Sequence, residues 1–203
     1  MNNSHQYWSS RTEEADGNRP NTYINASRSQ HTEIHKTLQP YINEDSKILE
    51  IGSNVGRNLN HLYQQGYKNL TGIEINPNAI DVGKNHYKEL YSDSNVQIEA
   101  GSAKDFLSNN SNHYDAVFTL AVLQHMITEE QEFILNWIST HTKCACFIEM
   151  RGNAEAPKRW PAHDGYFHNG VKNYSPLIDK GFKIIDEGRS STLGGNYIRT
   201  LLV

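Results

Sequence analysis

The sequence has few cysteines, and their spacing excludes most roles for them. Cys144 and Cys146 are the only two in 203 residues, and both lie in one apolar run. A structural zinc site needs four ligands, and a disulfide between residues two apart on a strand is at the outer limit of the allowed Cα separation. We therefore expect two buried, unreactive thiols, because a free cysteine packs like a small hydrophobic residue.

The sequence also lacks long apolar segments and a strong charge of either sign. The N-terminus has no apolar stretch of the kind found in signal peptides, and no run of about eighteen apolar residues occurs. The formal net charge of −4 gives no overall basic field for a polynucleotide, although a local basic patch is compatible with it. These absences predict one cytoplasmic globular domain with no membrane partner, and they disfavour a nucleic-acid partner.

Short apolar runs alternate with longer segments of helical period, which is typical of βαβ units around a mostly parallel sheet. The predicted core strands are 46–51, 69–75, 95–100, 114–120 and 144–150. The predicted helices are 27–41, ended by Pro40, and then 56–67, 77–90 and 128–141. After a short helix at 174–182, strands 183–188 and 196–203 are expected to form an antiparallel hairpin at the sheet edge.

The first predicted strand runs into a bend with two glycines, Gly52 and Gly56. Glycine lets the main chain approach a ligand closely, and the helix that follows begins with N–H groups that have no partner inside the helix. The second strand ends in Glu74, where a carboxylate can accept hydrogen bonds from a ribose hydroxyl pair. The triphosphate motif GxxxxGK[ST] and the dinucleotide motif GxGxxG are both absent. The pattern predicts a nucleoside-binding crevice, with an ordinary tight turn as the alternative.

Four segments then resemble, in order, the motifs of class I S-adenosylmethionine-dependent methyltransferases. They are LEIGSNVGRNL, GIEINPNAI, EAGSAKDF and YDAVFTLAVLQHM. The resemblance implies a Rossmann-like α/β fold, with a mostly parallel seven-stranded sheet, helices on both faces and an antiparallel C-terminal strand. It also implies an enzyme that uses S-adenosyl-L-methionine. We divide the single domain, 1–203, into an N-terminal helical or lid segment (1–45), a cofactor-binding core (46–150), and an acceptor-side loop with the C-terminal hairpin (151–203).

The resemblance implies cofactor contacts from ten residues: Glu50, Gly52, Asn54, Gly56, Asn58, Glu74, Ile75, Ser102, Ala103 and Leu120. Two of them depart from the usual pattern. Asn54 replaces the middle glycine of the first motif, so that a side-chain amide can bond beside the methionine part. Ser102 stands where many members carry aspartate, and its hydroxyl is a weaker acceptor for the adenine amino group than a carboxylate. Ser102 is equally compatible with a helix N-cap.

The acceptor side is less defined by the sequence. His125 follows the fourth strand and is the candidate general base, with capping or packing as the alternative. Candidate substrate-pocket residues are Tyr7, Trp8, Arg151, Trp160, His163, Tyr166 and His168. For those after residue 150, a surface loop held in place by Trp160 is the alternative. The N-terminal aromatic pair is compatible with a flap over the cofactor or with packing on a partner subunit. The histidines of 151–172 lack the spacing of known metal motifs, so no metal is expected.

For the reaction, we expect methyl transfer to an oxygen or nitrogen atom of a small polar molecule. Methylation of a protein or nucleic acid is an alternative, although no (D/N)PP(Y/F) motif follows the fourth strand. A non-catalytic module that only binds the cofactor is the other alternative, because Asn54 and Ser102 depart from the family's pattern. A homo-oligomer is compatible with the sequence.

Overall fold

The apolar runs of the sequence form the parallel part of one sheet. The computed structural model describes residues 3–15, 17–24, 29–150, 158–159, 167–168, 171, 174–193 and 197–203. The core strands are β1 (Ile48–Ile51), β2 (Leu70–Glu74), β3 (Val96–Ala100), β4 (Tyr114–Leu120) and β5 (Thr142–Met150). The first four lie inside their predicted ranges, and β5 begins two residues before its range.

The C-terminal strands complete the sheet. Two-residue strands β6 (Lys158–Arg159) and β7 (Phe167–His168) form a separate antiparallel pair, inside a segment where the sequence shows no strand period. Strands β8 (Ile184–Arg189) and β9 (Tyr197–Leu202) pair antiparallel, and β9 also pairs antiparallel with β5. The seven-stranded order is β3-β2-β1-β4-β5-β9-β8. The predicted fold class is therefore confirmed, with β9 inside the sheet and β8 at its edge.

Nine α-helices connect or flank the strands of the described chain. They are α1 (Asn3–Ser9), α2 (Pro20–Ile24), α3 (Ser29–Leu38), α4 (Arg57–Gln64), α5 (Pro77–His86), α6 (Lys88–Ser92), α7 (Ala103–Ser108), α8 (Thr128–His141) and α9 (Ser175–Ile178). Short 3₁₀ helices follow α3 (Gln39–Tyr41) and β4 (Leu123–His125). No helix of the described residues combines the length and the apolarity that a membrane crossing requires.

The buried side chains form two clusters, one on each face of the sheet. Neighbouring residues of a strand point to opposite faces, so Leu49 packs with Ile134 and Ile138 of α8, while Ile48 packs with Leu59 of α4. Helices α7, α8 and α9 cover the first face, and α3, α4 and α6 cover the second. Because β1, β2 and β4 run parallel, their carboxyl ends lie at the same edge of the sheet, where side chains can meet a ligand.

One predicted helix, 77–90, is wrong as a single element. The chain leaves the helical conformation at Tyr87, whose φ and ψ are −103° and 56°, and α6 begins at the next residue. The break turns Leu90 and Tyr91 back toward the loop after β1, where Leu90 is fully buried and the Tyr91 hydroxyl donates to the Val55 carbonyl at 3.3 Å. Tertiary packing therefore overrides a helical period that is continuous in the sequence.

The structure also bears on the helix predicted over 27–41 and on the two cysteines. The helix predicted over 27–41 ends as an α-helix at Leu38, and Pro40 lies in the 3₁₀ turn that follows. Both cysteines are free and buried, which confirms that part of the expectation, and burial raises the pKa of the Cys144 thiol to about 12, as expected for an unreactive thiol.

Candidate active site

A cavity of about 360 Å³ opens at the carboxyl ends of β1, β2 and β4. Between β1 and β4 the strand order reverses, which is the usual place for a ligand in an open α/β sheet. The size is within the range of small-molecule pockets. The cavity is therefore positioned by the sheet, and its wall is supplied by the loops that follow the strands.

The loop between β1 and α4 supplies one wall of the cavity. The main-chain N–H groups of Gly52 and Ser53 both donate to the Ile73 carbonyl, at 2.8 and 3.0 Å, which ties the loop to β2. The loop has three residues with positive φ: Gly52 at 77°, Asn54 at 51° and Gly56 at 81°. Asparagine tolerates this region better than most residues with a side chain. The asparagine therefore keeps the conformation that the usual middle glycine allows.

Both glycines of the loop combine a positive φ with little room for a side chain. A Cβ atom at Gly52 would lie 2.3 Å from a methyl carbon of Val122, and one at Gly56 would lie 3.1 Å from the Tyr91 hydroxyl. Gly52 lines the cavity, whereas Gly56 lies behind it, at the N-cap of α4. The Asn54 side chain accepts from the N–H of Val55 at 2.9 Å, so its amide oxygen stabilises the turn itself.

Glu74 lies at the end of β2, is 7% exposed and lines the cavity. Its carboxylate oxygens accept from the main-chain N–H groups of Asn54 at 2.8 Å and Asn76 at 2.9 Å. Burial raises the pKa of this carboxyl group, and the two N–H donors oppose that rise by favouring the charged form. The carboxylate is thus fixed from both sides, in the position that the sequence predicts for a ribose partner.

Glu50 is 1% exposed and lies one layer behind the cavity wall. The Asn58 side-chain amide donates to Glu50 Oε1 at 2.6 Å, and Asn58 itself lines the cavity. Burial raises the pKa of Glu50 to about 8, although the Asn58 hydrogen bond and the Arg57 charge lower it. Glu50 therefore acts on the cavity through Asn58 in this conformation.

Solved structures with the same fold come from methyltransferases. Magnesium protoporphyrin IX methyltransferase from Synechocystis PCC 6803, with bound SAM, aligns with a TM-score of 0.66 at 16% identity over 100% of this chain and 97% of its own. The N-methyltransferase NodS from Bradyrhizobium japonicum WM9, in complex with S-adenosyl-L-homocysteine, aligns with a TM-score of 0.63 at 16% identity over 86% and 84%. At these identities the likeness shows the fold.

A third similar structure is the 1,6-didemethyltoxoflavin-N1-methyltransferase of Burkholderia thailandensis, with a TM-score of 0.62 at 14% identity over 86% of this chain and 76% of its own. The sequence comparison adds the family, because residues 48–144 match the family described as Methyltransferase domain. This match covers just under half of the chain, and the solved structures with the same fold contain bound SAM or S-adenosyl-L-homocysteine. We therefore call the cavity the methyltransferase pocket. We call the wall formed by the β1–α4 loop and Glu74 the cofactor end of the pocket.

The opposite wall of the methyltransferase pocket, which we call the acceptor end, contains Trp8, Gln124, His125 and Tyr197. The Trp8 and His125 rings are 4.7 Å apart between centroids, at an angle of 54°. The Gln124 amide donates to the Tyr197 hydroxyl at 3.0 Å and lies 3.3 Å from His125 Nε2. Burial raises the pKa of Tyr197, so this hydroxyl stays protonated at neutral pH. The acceptor end is thus aromatic, with uncharged hydrogen-bonding groups.

A buried acid at the end of β5 holds this wall in place. Glu149 is 1% exposed, and its carboxylate accepts from Thr119 Oγ1 at 2.7 Å and from the N–H groups of Val122 at 3.0 Å and Gln124 at 3.3 Å. Burial raises the pKa of Glu149, while these donors lower it. The acid therefore fixes the loop that carries His125.

The N-terminal segment covers the methyltransferase pocket from outside the sheet. His5 of α1 lies 3.1 Å from a carboxylate oxygen of Glu130, in the first turn of α8. The side-chain amides of Asn76 and Asn78 donate to the Arg11 carbonyl at 2.9 and 3.3 Å. These contacts attach the segment after α1 to the loop after β2, as a cover over the cavity requires.

The structure brings together nine of the predicted site residues on the cavity wall: Gly52, Asn54, Asn58, Glu74, Ile75, Ala103, Leu120, Trp8 and His125. Tyr7 does not line it, because its hydroxyl accepts from Asn18 and the Arg11 guanidinium covers its ring at 4.1 Å. Ser102 is the N-cap of α7, where its Oγ accepts from the N–H of Asp105, and it also lies off the wall. Its expected adenine contact stays a prediction.

The remaining acceptor-side predictions fall in the segment after β5. Arg151, Trp160, His163 and Tyr166 lie outside the described residues. His168 belongs to β7, and the description there covers the main chain alone. These residues stay predictions for the acceptor pocket.

Sequence reasoning missed several wall residues, among them Tyr23, Gln30, Arg57, Gln124, Leu193 and Tyr197. Arg57 and Gln124 stand inside quoted motif segments, so their position was a usable signal. Gln30 and Tyr197 come from α3 and β9, far from any motif in the sequence. Only the folded chain brings them to the cavity.

Proposed function

We propose that the methyltransferase transfers the methyl group to an oxygen or nitrogen atom of a small polar molecule. The observation that carries this proposal is the enclosure of the acceptor end. Trp8 of α1 covers the cavity on one side, and Tyr197 of β9 bounds it on another. A cavity of about 360 Å³ that also receives the cofactor suits a small acceptor better than a folded macromolecule.

The chemistry of the acceptor end supports the same class. Trp8, His125 and Tyr197 present ring surfaces, and Gln124 adds a hydrogen-bonding amide. Pockets of this kind bind planar or partly apolar molecules through their rings and orient them through a few polar groups. The acceptor is therefore a small molecule with an exposed hydroxyl, amine or carboxylate next to an apolar surface.

The similar solved structures point to the same class of acceptor. One is named for magnesium protoporphyrin IX, one was crystallised with 1,6-didemethyltoxoflavin, and another is a glycopeptide N-methyltransferase. Two of these names specify nitrogen as the methylated atom. They support a small acceptor, with nitrogen as one of the two candidate atoms for methylation.

Methyl transfer from a sulfonium is an in-line displacement that forms the new bond to the acceptor and leaves a neutral thioether. Catalysis can therefore come from alignment and exclusion of water. An amine that is already uncharged needs no strong base, whereas a hydroxyl benefits from one. His125 is the candidate base because it lies on the acceptor wall, and the Gln124 amide beside its Nε2 limits the orientations of the ring.

The proposal is tested first by binding and turnover. Calorimetry should detect binding of S-adenosyl-L-homocysteine, and release of that product should then be followed with small hydroxyl, amine and carboxylate compounds. Folded proteins and RNA serve as the competing substrates. Turnover with a small compound and none with the macromolecules is expected. Turnover with macromolecules alone would contradict the proposal, and binding without turnover on any acceptor would favour a module that only binds the cofactor.

The role of His125 is tested by His125→Asn, with the exposed His113→Asn as the matched control. If His125 is the base, kcat for a hydroxyl acceptor should fall about 100-fold or more, and kcat for an amine acceptor should change little. Cofactor affinity should be the same in all three proteins. An equal loss with both kinds of acceptor would instead show that His125 positions the substrate.

A further inference from the structure

A buried cation lies at one corner of the pocket. Arg57, the first residue of α4, is 9% exposed and lines the cavity together with Tyr23, Gln30 and Asn58. We call these four residues the Arg57 corner. Guanidinium groups are rarely buried without a carboxylate or phosphate partner, because removal from water is costly. The corner therefore raises the question of which anion faces it.

The described part of the chain supplies no paired anion there. Arg57 Nη2 donates to Gln30 Oε1 at 2.6 Å, and Nη1 donates to the Tyr23 carbonyl at 3.3 Å. Both acceptors are uncharged. Within the described ranges, Arg57 Nε has no hydrogen-bond partner, and no carboxylate forms a salt bridge with the guanidinium.

The nearby carboxyl group of Glu50 does not neutralise the charge of Arg57. Glu50 is bonded through Oε1 to Asn58 at 2.6 Å, and burial raises its pKa to about 8, so the protonated form prevails at neutral pH. The Arg57 charge is felt at Glu50, where it lowers the pKa, yet it does not offset the cost of burial. The guanidinium thus stays an unneutralised cation on the cavity wall.

An acceptor atom without a partner belongs to the residue that follows Arg57. Among the described residues, Asn58 Oδ1 is buried and accepts no hydrogen bond, and Asn58 lines the cavity. An open guanidinium donor and an open amide acceptor on one wall are complementary to a group that carries a carboxylate and an ammonium on one carbon. S-adenosylmethionine ends in such a group, and its other end is the adenosine that Glu74 is expected to bind.

We propose that Arg57, oriented by Gln30, binds the α-carboxylate of the cofactor and selects for cofactor molecules that carry it. The methionine end then lies under α2 and α3, and the adenosine end lies at Glu74. The inference rests on the methyltransferase function, and it does not depend on which acceptor is methylated. Arg57 is in this view a binding residue that stands inside the first motif segment but was not among the predicted cofactor contacts.

The test compares three ligands of the full chain by calorimetry: S-adenosyl-L-homocysteine, its decarboxylated analogue, and 5′-methylthioadenosine. The decarboxylated analogue keeps the ammonium and the adenosine and lacks only the carboxylate. It should bind the unmodified protein about 100-fold more weakly than S-adenosyl-L-homocysteine, as expected for loss of a charge-assisted hydrogen bond in a buried site. Equal affinity of the two ligands would overturn the proposal without any mutation.

The variants Arg57→Gln and Gln30→Ala locate the effect. Arg57→Gln should weaken S-adenosyl-L-homocysteine about 100-fold and leave the two ligands without a carboxylate within about threefold. Gln30→Ala should give a smaller loss, about fivefold, with the same ligand dependence. A similar loss for all three ligands would show a structural role and overturn the proposal.

Failure of the methyltransferase function has a different signature. In that case the unmodified protein would bind none of the three adenosine compounds. If it binds 5′-methylthioadenosine and S-adenosyl-L-homocysteine equally well, the nucleoside site stands and only the Arg57 assignment falls.

Discussion

The cofactor end and the acceptor end of the pocket are built from different parts of the chain. At the cofactor end, main-chain groups fix the side chain that faces the pocket, as where the N–H groups of Asn54 and Asn76 hold the Glu74 carboxylate. At the acceptor end, side chains from α1, β9 and the loop after β4 meet, as where Gln124 donates to Tyr197. The geometry of the cofactor end should therefore tolerate little change, whereas side chains at the acceptor end can be replaced without altering the sheet.

Substitutions at the two ends should therefore change different measured quantities. A change at the cofactor end should reduce stability or cofactor affinity, because the main chain of the β1–α4 loop is shared between fold and site. A change at the acceptor end should alter the acceptor KM and leave the cofactor bound.

The largest effect is expected for Gly83→Ala, on the helix behind the cofactor end. A Cβ atom at Gly83 would lie 2.3 Å from the Val55 carbonyl oxygen, which is main chain and cannot rotate away. Alanine normally stabilises a helix relative to glycine, by about 0.5–1 kcal/mol. Here the free energy of unfolding should instead fall by about 3 kcal/mol, as for an overpacked core. Urea denaturation measures it.

Gly101→Ala is the matched control for this change. Its Cβ atom would meet only a methyl carbon of Ile73, at 3.7 Å, so stability should change by less than about 1 kcal/mol. If both variants proved equally stable, the close approach of α5 to the loop would be of no energetic importance.

Next in size is Glu74→Gln, at the cofactor end itself. Both oxygens of Glu74 face N–H donors, so an amide NH₂ group meets a donor in either orientation. Affinity for S-adenosyl-L-homocysteine should fall about 100-fold, the scale for loss of a charged hydrogen-bond acceptor. Calorimetry measures it, with the exposed Glu99→Gln of β3 as the control. Unchanged affinity in Glu74→Gln would show that Glu74 does not bind the ribose of the cofactor.

The contrast also explains what the sequence could predict. The cofactor end was predictable because Gly52 and Glu74 stand in contiguous motif segments whose spacing follows from a strand, a bend and a second strand. Gly83 has no such signal, since its requirement comes from contact with Val55. In the same way, Tyr87 breaks a continuous helical period only because Leu90 is buried against the core.

The acceptor end was only partly predictable. Trp8 and His125 were predicted and do line the cavity, because an N-terminal aromatic residue and a polar residue after a strand are recognisable features. Tyr197 and Leu193 were not predicted, because β9 and the residues just before it reach the cavity only through the long-range pairing of β9 with β5. Long-range pairings of this kind leave no local spacing in the sequence.

A moderate effect is expected for Trp8→Ala at the acceptor end. The variant loses the ring that lies against His125, so the acceptor KM should rise about tenfold, the scale of one aromatic contact. Cofactor affinity should change by less than about threefold. Trp8→Phe keeps a ring and should stay near the unmodified enzyme in steady-state kinetics. A large loss of cofactor affinity in Trp8→Ala would contradict the assignment of Trp8 to the acceptor end of the pocket.

The smallest effect is expected for the pH dependence of stability, which involves the packing of α3 and α4 next to the Arg57 corner. The helix that carries Gln30 packs on α4 through histidines, with the His31 and His61 rings 4.4 Å apart and the His35 and His61 rings 5.4 Å apart. Burial lowers the pKa of His35, and burial together with the nearby His35 charge lowers the pKa of His61. The folded state therefore favours the neutral forms of His35 and His61.

The sign of the pH dependence follows from these shifts. As pH falls through the ordinary histidine value of about 6.5, the unfolded chain binds protons that the folded chain does not, so stability is lost towards acid pH. Urea denaturation at pH 7.5 and 5.5 should show this loss, and His61→Gln should reduce it, whereas the exposed His86→Gln should not. Because α3 carries Gln30, the unmodified enzyme should also lose affinity for S-adenosyl-L-homocysteine over the same interval more steeply than His61→Gln does. An identical pH dependence in the two proteins would show that the histidine packing and the Arg57 corner are energetically independent.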